Sequence, residues 1–361
     1  TMKKSLIALL VASMPAAAFA DVTIYGAIKG GVEYNDNGST KVTNIDDLGS
    51  RIGFKGSEDL GNGLKTIWQV ETGFAIDGNK DQYGASSSGT FANRNSFLGL
   101  QSNLGTLRFG NVSNYLDSDM GLVDAWTYNS NNLGLGIFTR DATRLKNSVR
   151  YDLPAIVPGL TAAIQYGTKE DKSAGSKDRE VSNIGLGYEN SGFFGKYAYT
   201  HESKANTGFT APVTNVYTQT SYKANDKHRL EVGYNANNLF VGFGYQQEKG
   251  GYDVIGSGWA NLYGGYAAGG KLTDEVKTQE YALTAAYTFG AITPKFTYAH
   301  GDDIKVNGAK QKDTGYDQFL LGADYALSKR TTVGAQYGQI KPKDGDIKTQ
   351  KSFGLNMVHN F

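Results

Sequence analysis

The chain has 361 residues, and its charge is almost balanced: 36 Lys and Arg against 35 Asp and Glu, or +1 at pH 7. This balance argues against a nucleic-acid partner, because phosphate binders usually carry a strong basic excess. Cysteine is absent, which excludes disulfides and thiolate chemistry. The 47 Gly, 23 Tyr and 17 Phe are typical of a chain rich in turns and strands.

The first twenty residues have the pattern of an export signal. Lys3 and Lys4 precede an apolar run of about ten residues, and Ala18-Phe19-Ala20 forms a small-x-small cleavage site. The run is too short to span a bilayer. We therefore predict a signal peptide at residues 1–20. Because no linker divides the remainder and all-β barrels of this length form one domain, we predict a single domain at residues 21–361.

Beyond the signal, about sixteen segments alternate between apolar and polar side chains, as strands with one oily and one polar face do. In EYALTAAYTF, for example, Leu283 and Tyr287 alternate with Glu280 and Thr284. The segments are VTIYGAIKGGVEY, SRIGFKGSE, LKTIWQVETGF, RNSFLGLQ, TLRFGN, NSVRYD, LTAAIQYGT, VSNIGLGYE, FFGKYAYTHE, HRLEVGYN, LFVGFGYQQE, EYALTAAYTFG, ITPKFTYAHG, YDQFLLGADYAL, TTVGAQYGQI and KSFGLNMVHNF.

The connections alternate between short turns such as DLGNG and NANN and long polar loops such as NDNGSTKVTNIDD and KEDKSAGSKDRE. A membrane barrel has this arrangement, with short turns in the periplasm and long loops outside. A soluble sandwich with its oily face inward gives the same alternation of side chains. Export, aromatic residues at strand ends and the lack of Cys favour the barrel, which also leaves no unpaired edge in lipid.

Alternate residues of a strand face opposite sides of the sheet, and this parity predicts which cations face the lumen. Ile52 and Phe54 take the lipid face, so Arg51 and Lys55 point inward, and Arg94 is placed on the face opposite Phe97. The predicted basic wall consists of Lys29, Arg51, Lys55, Arg94, Arg108 and Arg150. The alternative is that these are solvated loop-end charges or halves of ion pairs within the wall.

The long third loop supplies the predicted acidic side of the pore, with Asp117, Asp119 and Asp124 within eight residues. Opposed acidic and basic faces create a transverse field that orients polar solutes and sets ion preference. Six cations against three acids suggest a weak preference for anions. An ordinary acidic surface loop is the alternative interpretation.

Other functions find little support in the sequence. The four histidines, His201, His228, His300 and His359, lie far apart, and no metal or other cofactor is expected. The loop DGNKDQYG has Asp77, Asn79 and Asp81 at calcium-loop spacing, but Gln82 and Ser88 stand where Gly and Glu are required.

Three rival interpretations remain. One is an outer-membrane adhesin that acts through its long loops, and another is a barrel enzyme with a non-conducting lumen, for which His201 near Ser203 is the one suggestive pair. The third is a sugar-specific channel, which requires a stripe of aromatic residues along the lumen.

With the strands laid out, the chain resembles a trimeric general porin of the Gram-negative outer membrane, most like the neisserial and related β-proteobacterial branch. The resemblance runs along nearly the whole mature chain and rests on DVTIYGAIKGGVE, DLGSRIGFKGSEDLGNGLKTIWQVE, NRNSFLGL, GTLRFGN, NSVRYD, AYTFGAITPKFTYAHG, YDQFLLGADYALSKRTTVGAQYG and the C-terminal Phe361. The third loop departs from the enterobacterial relatives, because it lacks their Pro-Glu-Phe-Gly-Gly type sequence.

The resemblance implies an all-β, transmembrane antiparallel barrel of 16 strands with an inward-folded third loop, located in the cell outer membrane. It implies a homotrimer that contacts outer membrane lipids and lipopolysaccharide and passes ions and small hydrophilic solutes by diffusion. It favours Arg51, Arg94 and Arg150 as the basic side of the constriction. It also implies that Phe361 is a signal read by the outer membrane assembly machinery.

Overall fold

A computed structural model describes residues 22–78, 91–128, 130–170, 178–210, 217–263 and 273–361. The predicted signal peptide and most of the calcium-like loop lie outside the described residues. The strands are β1 (Thr23–Asp36), β2 (Lys41–Asp47), β3 (Arg51–Gly61), β4 (Leu64–Gly73), β5 (Ser96–Ser102), β6 (Gly105–Ser113), β7 (Arg144–Asp152), β8 (Leu160–Gly167), β9 (Val181–Asn190), β10 (Phe193–Glu202), β11 (Ala205–Thr210), β12 (Tyr217–Tyr222), β13 (Asn225–Ala236), β14 (Leu239–Gly250), β15 (Val276–Tyr287), β16 (Ile292–Gly301), β17 (Lys305–Val306), β18 (Ala309–Lys310), β19 (Tyr316–Ala326), β20 (Thr331–Pro342) and β21 (Gln350–Asn360).

Sixteen of these strands form a closed antiparallel barrel, as the sequence predicted. Each barrel strand pairs with the next along the chain, and β21 pairs with β1 to close the sheet. The other five strands, β2, β11, β12, β17 and β18, extend the long loops. Because the sheet is closed, no barrel strand presents a free edge.

The two faces of the wall separate apolar from polar side chains. On β15, Leu283 and Tyr287 are exposed on the outside, whereas Glu280 and Thr284 are completely buried on the inside. The predicted alternation is therefore confirmed. At one end the strands are joined by tight turns such as Asn237-Asn238, where both residues have positive φ, as a two-residue hairpin requires.

Short helical segments lie in the loops. Helix α1 (Tyr115–Ser118) begins the third loop, and a 3₁₀ turn (Tyr252–Ile255) leads into α2 (Gly256–Leu262) in the sixth. Within the described ranges, no helix is long and apolar enough to cross a membrane.

The third loop, residues 114–143 between β6 and β7, folds into the barrel, as predicted. Its apolar residues Val123, Trp126 and Phe138 pack against small or aliphatic wall residues of β15, β16 and β19. Tyr115 fits against Gly185 of β9, where an added Cβ would lie 1.9 Å from its ring. The hydrophobic core therefore lies between inward-packed loops and the wall. Beside the third loop, the helical segment of the sixth loop forms a second part of it, in which Trp259 and Leu262 pack with Val276 and Tyr316.

Candidate functional site: the charged constriction

The first part of the third loop is held to the wall by Arg150, which β7 directs inward. Its guanidinium donates to the carboxylates of Asp119 and Asp152, each at 2.7 Å, and to the carbonyl of Ser113 at 2.8 Å. Only 1% of Arg150 is exposed, because helix α1 covers it. Arg150 therefore lies on the predicted wall, but it is placed to anchor the loop rather than to meet solutes.

The middle of the loop is fixed through its backbone. The amides of Gly121 and Leu122 both donate to the buried carboxylate of Glu231 on β13, at 3.0 Å. The hydroxyl of Thr284 on β15 donates to the carbonyl of Val123. These bonds satisfy loop backbone groups that would otherwise be buried without partners.

The end of the loop is held by a buried ion network. Arg140 forms ion pairs with Glu248 of β14 at 2.5 Å and with Glu280 of β15 at 2.6 Å, and neither glutamate is exposed. Beside it, Asp141 pairs with Lys227 of β13 at 2.7 Å. Although burial opposes ionisation, the surrounding charges hold the pKa of Asp141 below its usual range. The loop is thereby tied to three consecutive strands.

A group of cations lies on the opposite wall. Arg94 pairs with Glu71 of β4 at 2.7 Å, and Arg51 lies 3.9 Å from the same carboxylate. Tyr25 also donates to Glu71, at 3.0 Å. Lys29 interacts electrostatically with Arg51 and Arg94, and within the described chain it forms no ion pair. Three of the six predicted basic residues therefore share one region with a single wall carboxylate.

A fourth cation, which is not among the six predicted ones, joins this group from the loop end of β7. Arg144 lies near Arg94 and 3.5 Å from Asp117, so it spans the space between the basic group and the third loop. We call Lys29, Arg51, Arg94 and Arg144 the basic cluster. The sequence analysis did not identify Arg144, because the predicted segment NSVRYD starts at Asn147, whereas β7 begins at Arg144.

Two members of the basic cluster, Arg94 and Arg144, line a cavity of about 520 Å³ between the third loop and the wall. Its charged lining residues are Glu33, Asp46, Asp47, Arg94, Asp117, Arg140 and Arg144. The sequence analysis considered only inward cations, so it missed the acids Glu33, Asp46 and Asp47 of the cavity and also Glu71 of the wall. Inward parity on β1 identifies Glu33 and inward parity on β4 identifies Glu71, because their neighbours Val32 and Val70 take the opposite face.

Lys55 and Arg108 occupy other parts of the inner wall. Lys55 lies over the ring of Tyr25 at 5.3 Å, and Arg108 lies over the ring of Phe97 at 5.4 Å while pairing with Asp152. Phe97 therefore faces inward. The prediction placed Phe97 on the lipid face and Arg94 on the opposite face, and this use of parity was wrong. Arg94 precedes β5 and reaches the lumen from the second loop.

The three predicted loop acids have different surroundings. Asp117 lines the cavity, whereas Asp119 is bound to Arg150. Asp124 accepts hydrogen bonds from the amides of Trp126 at 3.4 Å and Leu135 at 3.3 Å, within the loop itself. Burial raises the pKa of Asp124 to about 7. Of the three, Asp117 is the acid best placed to act on a passing solute.

The described residues contain no group of three or more His, Cys, Asp and Glu able to hold a metal ion. An apolar outer surface and a lumen narrowed by a charged, wall-anchored loop together define an outer-membrane channel protein.

Comparisons with known proteins agree with this class. A sequence model described as Gram-negative porin matches residues 5–345. The major outer membrane protein P.IB of Neisseria sicca is 38% identical over 391 residues and covers 100% of both chains. The anion-selective porin from Comamonas acidovorans has a TM-score of 0.73 at 21% identity, covering 95% of this chain and 100% of that one. The trimer form of OmpT from Vibrio cholerae has a TM-score of 0.65 at 16% identity, covering 94% and 99%.

The chain therefore belongs to the Gram-negative porin family. It is an outer-membrane protein whose barrel provides a pore for the passive diffusion of ions and small hydrophilic solutes.

Proposed function

We propose that the basic cluster and Asp117 form the constriction of this pore and give it a weak preference for anions. The observation that carries the proposal is the position of four cations opposite the third loop, three of which pair with Glu71 or Asp117. Four positive against two negative charges favour anions locally. With Glu33, Asp46 and Asp47, which line the same cavity, the acids number five against four cations, so the proposed anion preference is weak and confined to the basic cluster itself.

Under this proposal, the six basic and three acidic residues predicted for the pore have three different roles. Lys29, Arg51, Arg94 and Asp117 act on solutes at the constriction. Lys55 and Arg108 contribute to the charge of the wall away from it, and Arg108 is partly neutralised by Asp152. Arg150, Asp119 and Asp124 keep the third loop in its inward conformation.

We also propose that the chain is a non-catalytic homotrimer with residues 1–20 as its export signal and residues 21–361 as the mature barrel. The trimer is suggested by the trimer form recorded for the Vibrio cholerae protein. The apolar outer surface is suited to outer membrane lipids and lipopolysaccharide. Phe361, at the end of β21, is proposed as the residue read by the outer membrane assembly machinery.

The test is the current through the purified mature protein in a planar bilayer with a salt gradient. We expect conductance steps in groups of three and a reversal potential that favours anions. A clear cation preference would overturn the assignment of the basic cluster. Stable insertion without conductance would overturn the open constriction and favour the adhesin or enzyme interpretation.

A further inference from the structure

The described part of the sixth loop folds into the mouth of the barrel. We call residues 252–263, which comprise the 3₁₀ turn, helix α2 and Tyr263, the sixth-loop segment. Its largest buried side chain is Trp259, whose ring lies 5.1 Å from that of Tyr316 on β19. Trp259 belongs to one apolar cluster with Val276 of β15 and Ile340 of β20. The segment is therefore packed against several strands of the barrel wall.

The wall residues beneath this segment belong to the inner face of the barrel. Successive residues of a strand alternate between the two faces, so residues an even number of positions apart point the same way. Val276, Tyr316 and Ile340 stand in this relation to interior polar residues of their own strands, which are Glu280, Gln318 and Gln336. The sixth-loop segment therefore lies inside the lumen, at the end with the long loops.

Hydrogen bonds hold the segment at its start, in its middle and at its end. The backbone amide that precedes the 3₁₀ turn donates to the side chain of Asn225 on β13 at 2.8 Å. The indole of Trp259 donates to the carbonyl of Thr314 at 2.8 Å, and the hydroxyl of Tyr263 donates to the carbonyl of Gly315. The segment is therefore fixed to the wall along its whole length.

The same segment covers the end of the third loop. The Nε of Arg140 donates to the carbonyl of Val254 at 3.3 Å, and its guanidinium lies over the ring of Trp259 at 6.0 Å. Gly256 has a φ of +69°, and an added Cβ there would lie 2.7 Å from the Cδ of Arg140. Both features require glycine at this position. Arg140 is therefore enclosed between its two glutamate partners on the wall and the sixth-loop segment.

Burial distinguishes the two sides of the mouth. On β14, β15, β16, β19 and β20, inner-face residues toward the long-loop end are completely buried, namely Glu248, Val276, Glu280, Ala299, Tyr316 and Ile340. On the opposite wall, the side chains of Arg51 and Arg94 are 33% and 21% exposed. The third loop and the sixth-loop segment together fill the first side, whereas water reaches the second.

We propose that the sixth-loop segment is a second element that narrows the pore, and that Trp259 is the residue that positions it. The segment closes the β14–β20 side of the mouth, so solutes enter along the wall that carries the basic cluster. By enclosing Arg140, it also holds the end of the third loop in place. The size limit of the pore then depends on two loops acting together. This proposal does not depend on the proposed anion preference.

The first test removes the packing of the segment. Trp259→Ala is compared with the wild type and with Trp259→Phe, which keeps an aromatic ring in place. The matched control is Trp68→Ala, which removes a tryptophan from the outer face of β4, opposite the exposed Leu98. Polyethylene glycols of graded mass are added to the long-loop side of single channels in a planar bilayer. The mass above which the polymer no longer lowers the current measures the size limit.

We expect Trp259→Ala to admit polymers of about twice the mass that the wild type admits, with a conductance increased about twofold, because the closed side of the mouth opens. Trp259→Phe and Trp68→Ala should keep the wild-type size limit. A purely stabilising role for Trp259 would lower the midpoint of urea unfolding and leave the size limit unchanged, and that result would overturn the proposal. The reversal potential of the wild type tests the anion preference separately.

The second test leaves Trp259 in place and therefore does not depend on the folding of the alanine variant. An added Cβ at Gly258 would lie 2.7 Å from the Oδ1 and 3.2 Å from the Cγ of Asn131 in the third loop. The chain has no cysteine, so Asn131→Cys/Gly258→Cys introduces a single pair at a separation suited to a disulfide.

We expect mild oxidation of the folded double variant to join the two loops and to leave the conductance and size limit of the wild type unchanged. Failure to form the disulfide would overturn the proposal, because the two loops would not be in contact. A disulfide that lowers the conductance by half or more would also overturn it, because the segment would then lie outside the mouth in the conducting pore.

Discussion

Gly26 and Phe361 exchange both of their backbone hydrogen bonds, with N···O distances of 3.0 and 3.1 Å. Phe361 thereby extends the pairing of β21 with β1 by one residue beyond the register that ends at Asn360 and Ala27. Its ring lies over Gly26, where an added Cβ would be 2.5 Å from both the ring and the carbonyl oxygen of Arg51. The close approach of a ring and a backbone requires glycine at position 26.

We expect Gly26→Val to lower the free energy of unfolding by about 1–3 kcal/mol, because overpacking forces the ring or β3 to move. The midpoint of urea unfolding in detergent measures this change. Gly195→Val is the matched control, since the nearest atom to its added Cβ is a side-chain carbon 3.9 Å away. Equal losses in the two variants would show that the contact with Phe361 is unimportant for closure.

Arg140 is expected to be necessary for the inward conformation of the third loop. In Arg140→Met, Glu248 and Glu280 remain buried without their cation, which typically costs about 3–5 kcal/mol. The loop end should detach from the wall, so single-channel recordings should show larger or fluctuating conductance. The triple variant Arg140→Met/Glu248→Gln/Glu280→Gln removes the stranded charges and should recover most of the stability. Steady wild-type conductance in Arg140→Met would contradict the anchoring role.

Asp124 should make the third loop less stable at alkaline pH. Since burial raises its pKa from 3.8 to about 7, the folded chain holds this proton at pH values where the unfolded chain has lost it. Its contribution to stability is full below pH 3.8 and is lost as the pH rises to about 7. The difference is at most about 4 kcal/mol, at 1.36 kcal/mol per pKa unit.

Asp124→Asn should therefore be more stable than the wild type at pH 8 and similar to it at pH 3.5, as measured by urea midpoints. Asp117→Asn serves as the control, because its carboxyl lines the open cavity. A gain in stability that is the same at both pH values would be inconsistent with a titrating Asp124.

Strand periodicity predicted the fold because it records the environment of each face. A residue such as Leu283 meets lipid and Glu280 meets the interior, so alternation predicts the sixteen barrel strands and their inward sides. Parity also identified Arg51 and Lys29. It failed for Phe97, where an aromatic residue on the inner wall packs beneath Arg108 rather than facing lipid.

The constriction was less predictable, because it depends on how the third loop folds across the lumen. The loop has no regular period, and its path is set by contacts far apart in sequence, such as Arg140 with Glu280 and Tyr128 with the carbonyl of Leu355. From the sequence alone, Arg150 and Arg51 were both predicted to face solutes on the basic wall of the pore. In the folded chain, helix α1 covers the first of them and leaves the second beside the pore.

Neutralising different arginines should separate selectivity from loop anchoring. Arg51→Gln/Arg144→Gln removes two charges of the basic cluster, so we expect the reversal potential in a salt gradient to shift toward cations while conductance stays steady. Arg150→Gln removes a covered residue and leaves Asp119 unpaired, so it should disturb loop stability and current noise more than ion preference. Lys169→Gln, in an outer loop, is the neutral control. If Arg150→Gln shifts the reversal potential as far as the double variant does while its current remains quiet, Arg150 acts directly on permeating ions, and its assignment as an anchor is wrong.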